Sequence, residues 1–96
     1  MPKTGTLSEQ ELRTALEGLP GWSVENGKLH REFRFRDFTY AFGFMATAAT
    51  AIEKRNHHPE WFNVYKTVEV TLSTHDAGGV TGLDVKLAEA MNQLAG

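Results

Sequence analysis

Asn26-Gly27 stands between two stretches of alternating apolar and polar residues, Trp22–Glu25 and Lys28–Phe35. No other stretch constrains the fold as tightly. A two-residue type I′ turn needs positive φ at both central positions, which Asn and Gly adopt at least cost. Such a turn pairs Val24 with Leu29 and makes the strands antiparallel. Leu29, Phe33 and Phe35 then share one face, while His30, Glu32 and Arg34 share the other. One buried face and one wetted face describe an antiparallel sheet covered on a single side. His30 reads as a surface residue of the wetted face.

Trp61–Tyr65 and Thr67–Thr74 predict a second hairpin, in which Val68, Val70 and Leu72 alternate with Glu69, Thr71 and Ser73. Its turn near Lys66 carries no Gly or Asn, so two registers stay open. A turn at Lys66-Thr67 pairs Trp61 with Leu72 and sets His58 opposite His75. A loop over Tyr65–Thr67 pairs Phe62 with Val70 and sets His57 opposite His75. Either register brings His57-His58-Pro59 beside the exit of the last strand.

Helices separate and flank the hairpins. Met1–Thr6 is small or polar and reads as a frayed end. Ser8-x-x-Glu11 is a capping box, with Leu7 and Leu12 placed as a hydrophobic staple. Leu12, Ala15, Leu16 and Leu19 follow at helical spacing until Pro20-Gly21. Asp37 caps a long helix whose stripe is Phe38, Phe42, Met45, Ala49 and Ile52, with Asn56 as its stop. These aromatic and Met residues read as core rather than as a cofactor box. Asp76–Gly79 is a short loop. Thr81-x-x-Asp84 is an acidic capping box for a last helix that buries Leu83, Leu87, Met91 and Leu94. The expected fold is α+β: three helices on one face of a four-stranded antiparallel sheet.

The 96 residues suit a single domain with one modest core. The net charge is −2 with no basic run, which argues against a dedicated nucleic-acid binder. No apolar run approaches a membrane span, and Met-Pro-Lys-Thr-Gly lacks the apolar segment of a secretory signal, so the cytoplasm is the expected location. Cysteine is absent, which excludes disulfides, thiolate nucleophiles and cysteine-bound metal centres.

The histidines carry the chemistry. Imidazole exchanges a proton near pH ~6.5, so His57, His58 and His75 brought together suit acid–base work. Glu53 lies one helical turn before His57 and is placed to orient it if the helix persists. Asp76 and Asp84 are acidic candidates near His75. The serines and threonines form no nucleophile elbow. Three imidazoles and a carboxylate could hold zinc, but His57 and His58 point to opposite faces, so no metal is expected. Trp61 beside the histidines would suit a flat heterocycle.

Glu53, His57-His58-Pro59, Tyr65, His75 and Asp84, at their spacing, resemble the signature of the pterin-4a-carbinolamine dehydratases. Ala41–Met45, His57–Tyr65 and Thr71–His75 are similar to that family as well. The resemblance implies the same fold, a homodimer joined by extending the sheet, with a tetramer as the alternative, and no metal or organic cofactor. It implies dehydration of 4a-hydroxytetrahydropterin, the carbinolamine released by aromatic amino acid hydroxylases, to quinonoid dihydropterin. His57, His58 and His75 fall on the catalytic histidines. Asn56, His57, His58, Ser73, Thr74, His75 and Asp76 fall on the substrate-contacting segments, with Glu53, Pro59, Trp61 and Asp84 supporting. Many relatives carry an acidic residue where this chain has Asn56, and losing that charge would disfavour a neighbouring imidazolium. The division of labour expected is His58 and His75 as acid and base, with His57 orienting the substrate. Animal members of the family also serve as dimerisation cofactors of a homeodomain transcription factor, and some small relatives as assembly factors. The alternative reading is therefore a protein-interaction module.

Overall fold

Both hairpins form and join into one sheet in the computed structural model, which describes residues 5–96. The order along the chain is α1 (Glu9–Glu17), β1 (Ser23–Glu25), β2 (Lys28–Arg34), α2 (Phe38–Arg55), β3 (Glu60–Val64), β4 (Thr67–Leu72) and α3 (Gly82–Ala95). A single 3₁₀ turn, His75–Ala77, lies between β4 and α3. The strands run β1-β2-β4-β3, antiparallel throughout. This is the α+β architecture expected from the hydrophobic pattern.

The first hairpin has the predicted register, Val24 opposite Leu29, with Asn26 at φ 54° and Gly27 at φ 76°. The second has neither predicted register. Trp61 faces Val70 and Val64 faces Thr67, so the turn is Tyr65-Lys66. Tyr65 takes the left-handed conformation at φ 52°, which its residue type does not advertise. The Asn63 amide holds the turn by donating to the carbonyls of Tyr65 (3.2 Å) and Thr67 (2.9 Å). The turn-forming Asn thus lies inside the strand, two residues before the turn.

Leu29 and Phe33 of β2 and Val68, Val70 and Leu72 of β4 form the floor of the core. Phe33 packs against Phe44 (4.8 Å between ring centroids) and edge-on to Trp22 (6.0 Å). Arg31 lies on this same covered face. Its Nη1 donates to the Pro20 carbonyl (2.9 Å) and to Asn92 Oδ1 (2.6 Å), which also accepts from the Trp22 indole (2.8 Å). Burial pushes the Arg31 guanidinium below its ordinary range. Its flat face sits 4.1 Å from the Phe33 centroid, where stacking offsets some of the lost hydration.

Both capping boxes are present, Ser8 with Glu11 and Thr81 with Asp84, and Asp37 caps α2 by accepting from the Tyr40 amide. Leu7 and Leu12 pack on the core. Gly18, rather than Pro20-Gly21, ends α1, and Leu19 enters the core from the loop beyond. The buried stripes of the other helices are rotated from those predicted. In α2, Ala41, Phe44, Ala48 and Ile52 are buried, whereas Phe38 and Phe42 are 47% and 58% exposed. The Phe33 and Phe35 rings claim Phe44, and the small Ala41 and Ala48 let the helix come down on the sheet. In α3, Asp84, Leu87, Ala88 and Met91 are buried, and Leu83 and Leu94 are exposed.

Two further expectations change. Met1–Thr4 of the expected frayed end lies outside the described residues, but Thr6 is tied down. It bridges to Thr81 and donates to the Ala77 carbonyl. His30 is half-buried, with Glu25 3.3 Å from Nδ1 and Glu69 3.6 Å from Nε2, rather than a free surface residue. Among the described residues no helix is long and apolar enough to cross a membrane.

Candidate active site

Asn56 sets up the site by ending α2. It adopts φ 49° and ψ 44°, a left-handed geometry that Asn tolerates better than most residues. Its amide N–H donates to the Glu53 carbonyl, and the His57 N–H donates to that of Ile52. The chain then leaves the helix sharply, and Pro59 keeps it extended into β3. His57 and His58 consequently point apart: the His57 side chain is 10% exposed and that of His58 is 57% exposed.

The break in the helix also changes the expected partners. Glu53 lies 3.4 Å from His58 Nε2 and does not orient His57. His57 is instead 2.5 Å, through Nε2, from Asp84 Oδ1. Asp84 is fully buried at the start of α3. Its Oδ2 accepts from Thr74 Oγ1 (2.8 Å) and from the Thr81 backbone N–H (2.9 Å). A buried carboxylate is costly unless hydrogen-bonded, and these donors meet that need. An ionised carboxylate can only accept, so His57 Nε2 donates the proton. In neutral His57 the open lone pair is then on Nδ1, which has no partner among the described residues.

The observed register explains this meeting. Glu60 faces Thr71, so three residues further out His57 is level with Thr74. Asp84 therefore belongs with His57, not with His75 as its sequence position suggested. Thr81 completes the arrangement, its hydroxyl 2.7 Å from that of Thr74 while it accepts from the Leu83 amide. In the sequence, Thr81-x-x-Asp84 shows a capping role alone for Thr81. The overlooked signal was phase: Asp84 recurs with Leu87, Ala88 and Met91, on the inner face of α3.

Two concavities are lined by the other two site histidines. One, of about 310 Å³, is lined by Asn26, Gly27, Lys28, Ser73, Thr74, His75, Gly78 and Gly79. The other, of about 210 Å³, is lined by Ala49, Ile52, Glu53, His58, Pro59 and Trp61. His75 and His58 thus open on different hollows, with His57 anchored by Asp84. Asn56 and Asp76 are exposed, and Ser73 is half-buried. Among the described residues no three His, Asp or Glu side chains gather at metal-binding distance.

Comparison with known proteins gives a consistent result. Residues 5–94 match the family described as Pterin 4 alpha carbinolamine dehydratase. A protein of Solibacter usitatus, provisionally named pterin-4-alpha-carbinolamine dehydratase, is 54% identical over 96% of this chain and 97% of its own length. One of Nitrobacter winogradskyi with the same provisional name is 60% identical over 93% of this chain and 90% of its own length. A crystal structure from Brucella melitensis, titled transcriptional coactivator/pterin dehydratase, superposes with a TM-score of 0.92. It has 53% identity and covers 95% of this chain and 99% of that one.

Proposed function

The chain belongs to the pterin-4-alpha-carbinolamine dehydratase family, and from that premise we propose that it dehydrates 4a-hydroxytetrahydropterin to quinonoid dihydropterin by histidine acid–base catalysis. The reaction removes water across C4a and N5. A proton goes to the departing C4a hydroxyl, the C4a–O bond breaks, N5 loses its proton, and a C4a=N5 double bond forms. One acid and one base meet both demands, and because His75 and His58 line different hollows the flat bicycle of the substrate has to reach from one to the other.

The observation that carries the reading is the His57–Asp84 pair. The buried carboxylate holds the Nε2 proton and leaves Nδ1 of neutral His57 as an acceptor for a ring N–H of the substrate. That suits the orienting role. His58, next to Glu53, and His75, at the head of the 3₁₀ turn, are the proposed acid–base groups. Asn56, Ser73, Thr74 and Asp76 complete the proposed contact segments, and Pro59 and Trp61 shape the His58 side. The supply of substrate by aromatic amino acid hydroxylases, and hence recycling of their pterin cofactor, is part of the same proposal.

The test is stopped-flow absorbance of quinonoid dihydropterin formation from freshly generated carbinolamine. The wild-type protein should accelerate it. His58→Ala and His75→Ala should each lower the rate by about 10²-fold or more, the scale of a lost general acid or base. Near-normal rates in the His57→Ala, His58→Ala and His75→Ala proteins would end the catalytic reading. An inactive wild-type protein would favour an interaction module instead.

A further inference from the structure

The hydroxyl of Thr74 carries a consequence beyond contact with a substrate. It lies 2.8 Å from Asp84 Oδ2 and 2.7 Å from Thr81 Oγ1. A hydroxyl has one proton, and an ionised carboxylate has none to give. The Thr74 proton therefore goes to Asp84. The contact between the two threonines must then be filled by the Thr81 proton, donated to Thr74. Thr81 can do so because its oxygen accepts from the Leu83 amide while its own proton stays free. The chain has one direction throughout: Thr81 to Thr74, Thr74 to Asp84 Oδ2, and His57 Nε2 to Asp84 Oδ1.

We infer that Thr74 is a positioning residue, which fixes the rotamer of Asp84 and thereby the tautomer and tilt of His57. The inference rests on the dehydratase reading for its catalytic consequence but not for its structural one. Thr74 suits the task because its backbone is also fixed. Its N–H donates to the Gly79 carbonyl at 2.8 Å, and its carbonyl accepts from Ala77 at 3.1 Å and from Gly78 at 3.0 Å. The hydroxyl is thus presented from a hydrogen-bonded, closed loop. The Thr81 amide donates to the same oxygen, Asp84 Oδ2, at 2.9 Å. Removing the Thr74 donor leaves Oδ2 held by that amide alone, which loosens the carboxylate that Oδ1 presents to the imidazole.

The test compares Thr74→Val, which keeps the shape and removes the donor, with Thr74→Ser, which keeps the donor and removes a methyl. Two readouts are taken on the whole protein. In nitrogen NMR of the imidazole rings, wild type and Thr74→Ser should show His57 as the Nε2–H tautomer. Thr74→Val should show a mixture. In turnover of the carbinolamine, Thr74→Val should lose about tenfold in kcat with KM within twofold, the scale of one lost hydrogen bond to a charged group. Thr74→Ser should restore it. A Thr74→Val protein with an unchanged His57 tautomer overturns the inference, and so does a Thr74→Ser protein as impaired as Thr74→Val. A protein that fails to turn over at all while its His57 signals still respond to Thr74→Val would sink the dehydratase reading and leave this one standing.

Discussion

Asp84 combines two tasks usually given to different residues. As the third residue of α3 it caps the helix by accepting from the Thr81 amide, and with its other oxygen it holds His57. Replacing it with Ala would strand the Thr74 hydroxyl, the Thr81 amide and the His57 N–H at once in a buried place. We expect Asp84→Ala to cost about 3 kcal/mol or more of stability, since each unsatisfied buried polar group costs about 1–3 kcal/mol. Urea unfolding would measure it, and a loss below 1 kcal/mol would mean that water or rearrangement replaces the carboxylate. The capping role of Asp84 could be read from Thr81-x-x-Asp84, and its inward direction from its phase with Leu87. Its partner could not be read. Glu53 lay one turn from His57 in sequence, and the left-handed Asn56 turns the chain so that Glu53 meets His58 instead. The stop at Asn56 was legible, but which carboxylate then serves which imidazole depends on the direction in which the left-handed turn sends the chain, and residue spacing does not give that.

At the scale of elements, the legible features were those with local chemistry. The Asn26-Gly27 turn, both capping boxes, the Asp37 cap and the Asn56 stop each rest on a few neighbouring residues and form as expected. The second hairpin was less legible because its turn is stabilised by a strand residue, Asn63, around a left-handed Tyr65. Asn63→Ala should cost about 1 kcal/mol, the typical net value of a hydrogen bond. It should also broaden the NMR signals of β3 and β4 if it loosens the register; unchanged stability and spectra would show that strand pairing alone holds the turn. The α2 stripe was ambiguous for a different reason. Two overlapping apolar stripes share that helix, and tertiary contact with Phe33 and Phe35 selects the one containing Phe44. The choice is open to a direct comparison of neighbours. Ala48 is fully buried and Ala49 is exposed. Ala48→Leu should destabilise by about 1–3 kcal/mol through overpacking, whereas Ala49→Leu should stay within about 0.5 kcal/mol. Equal costs in thermal unfolding would mean that α2 is rotated from the orientation described.

For the whole molecule, the question is what lies beyond the edges of the sheet. β1 is three residues long and is followed directly by the Asn26-Gly27 turn, so it offers little edge to pair with. β3, at the other edge, is five residues long, and its open-face side chains Phe62 and Val64 are 64% and 57% exposed, with Tyr65 beyond them at 60%. An unpaired strand edge flanked by apolar side chains is a template for another strand, and soluble proteins normally blunt such an edge with charge, proline or a bulge. Glu60 is the sole charged residue within β3. The arrangement supports the proposal that a second copy pairs at β3 and continues the sheet, as the family resemblance implied. In that pairing Phe62 and Val64 of one copy would cover their counterparts in the other, because cross-strand neighbours on one face pack together. The wild-type chain should therefore sediment as a dimer or larger at micromolar concentration. Phe62→Lys, which puts like charges next to each other across the new ladder, should shift it to monomer while leaving the circular dichroism spectrum of the fold unchanged. A wild-type protein that sediments as a monomer at tens of micromolar would remove the edge pairing. A Phe62→Lys protein that still associates would move the interface to the exposed Phe38 and Phe42 of α2.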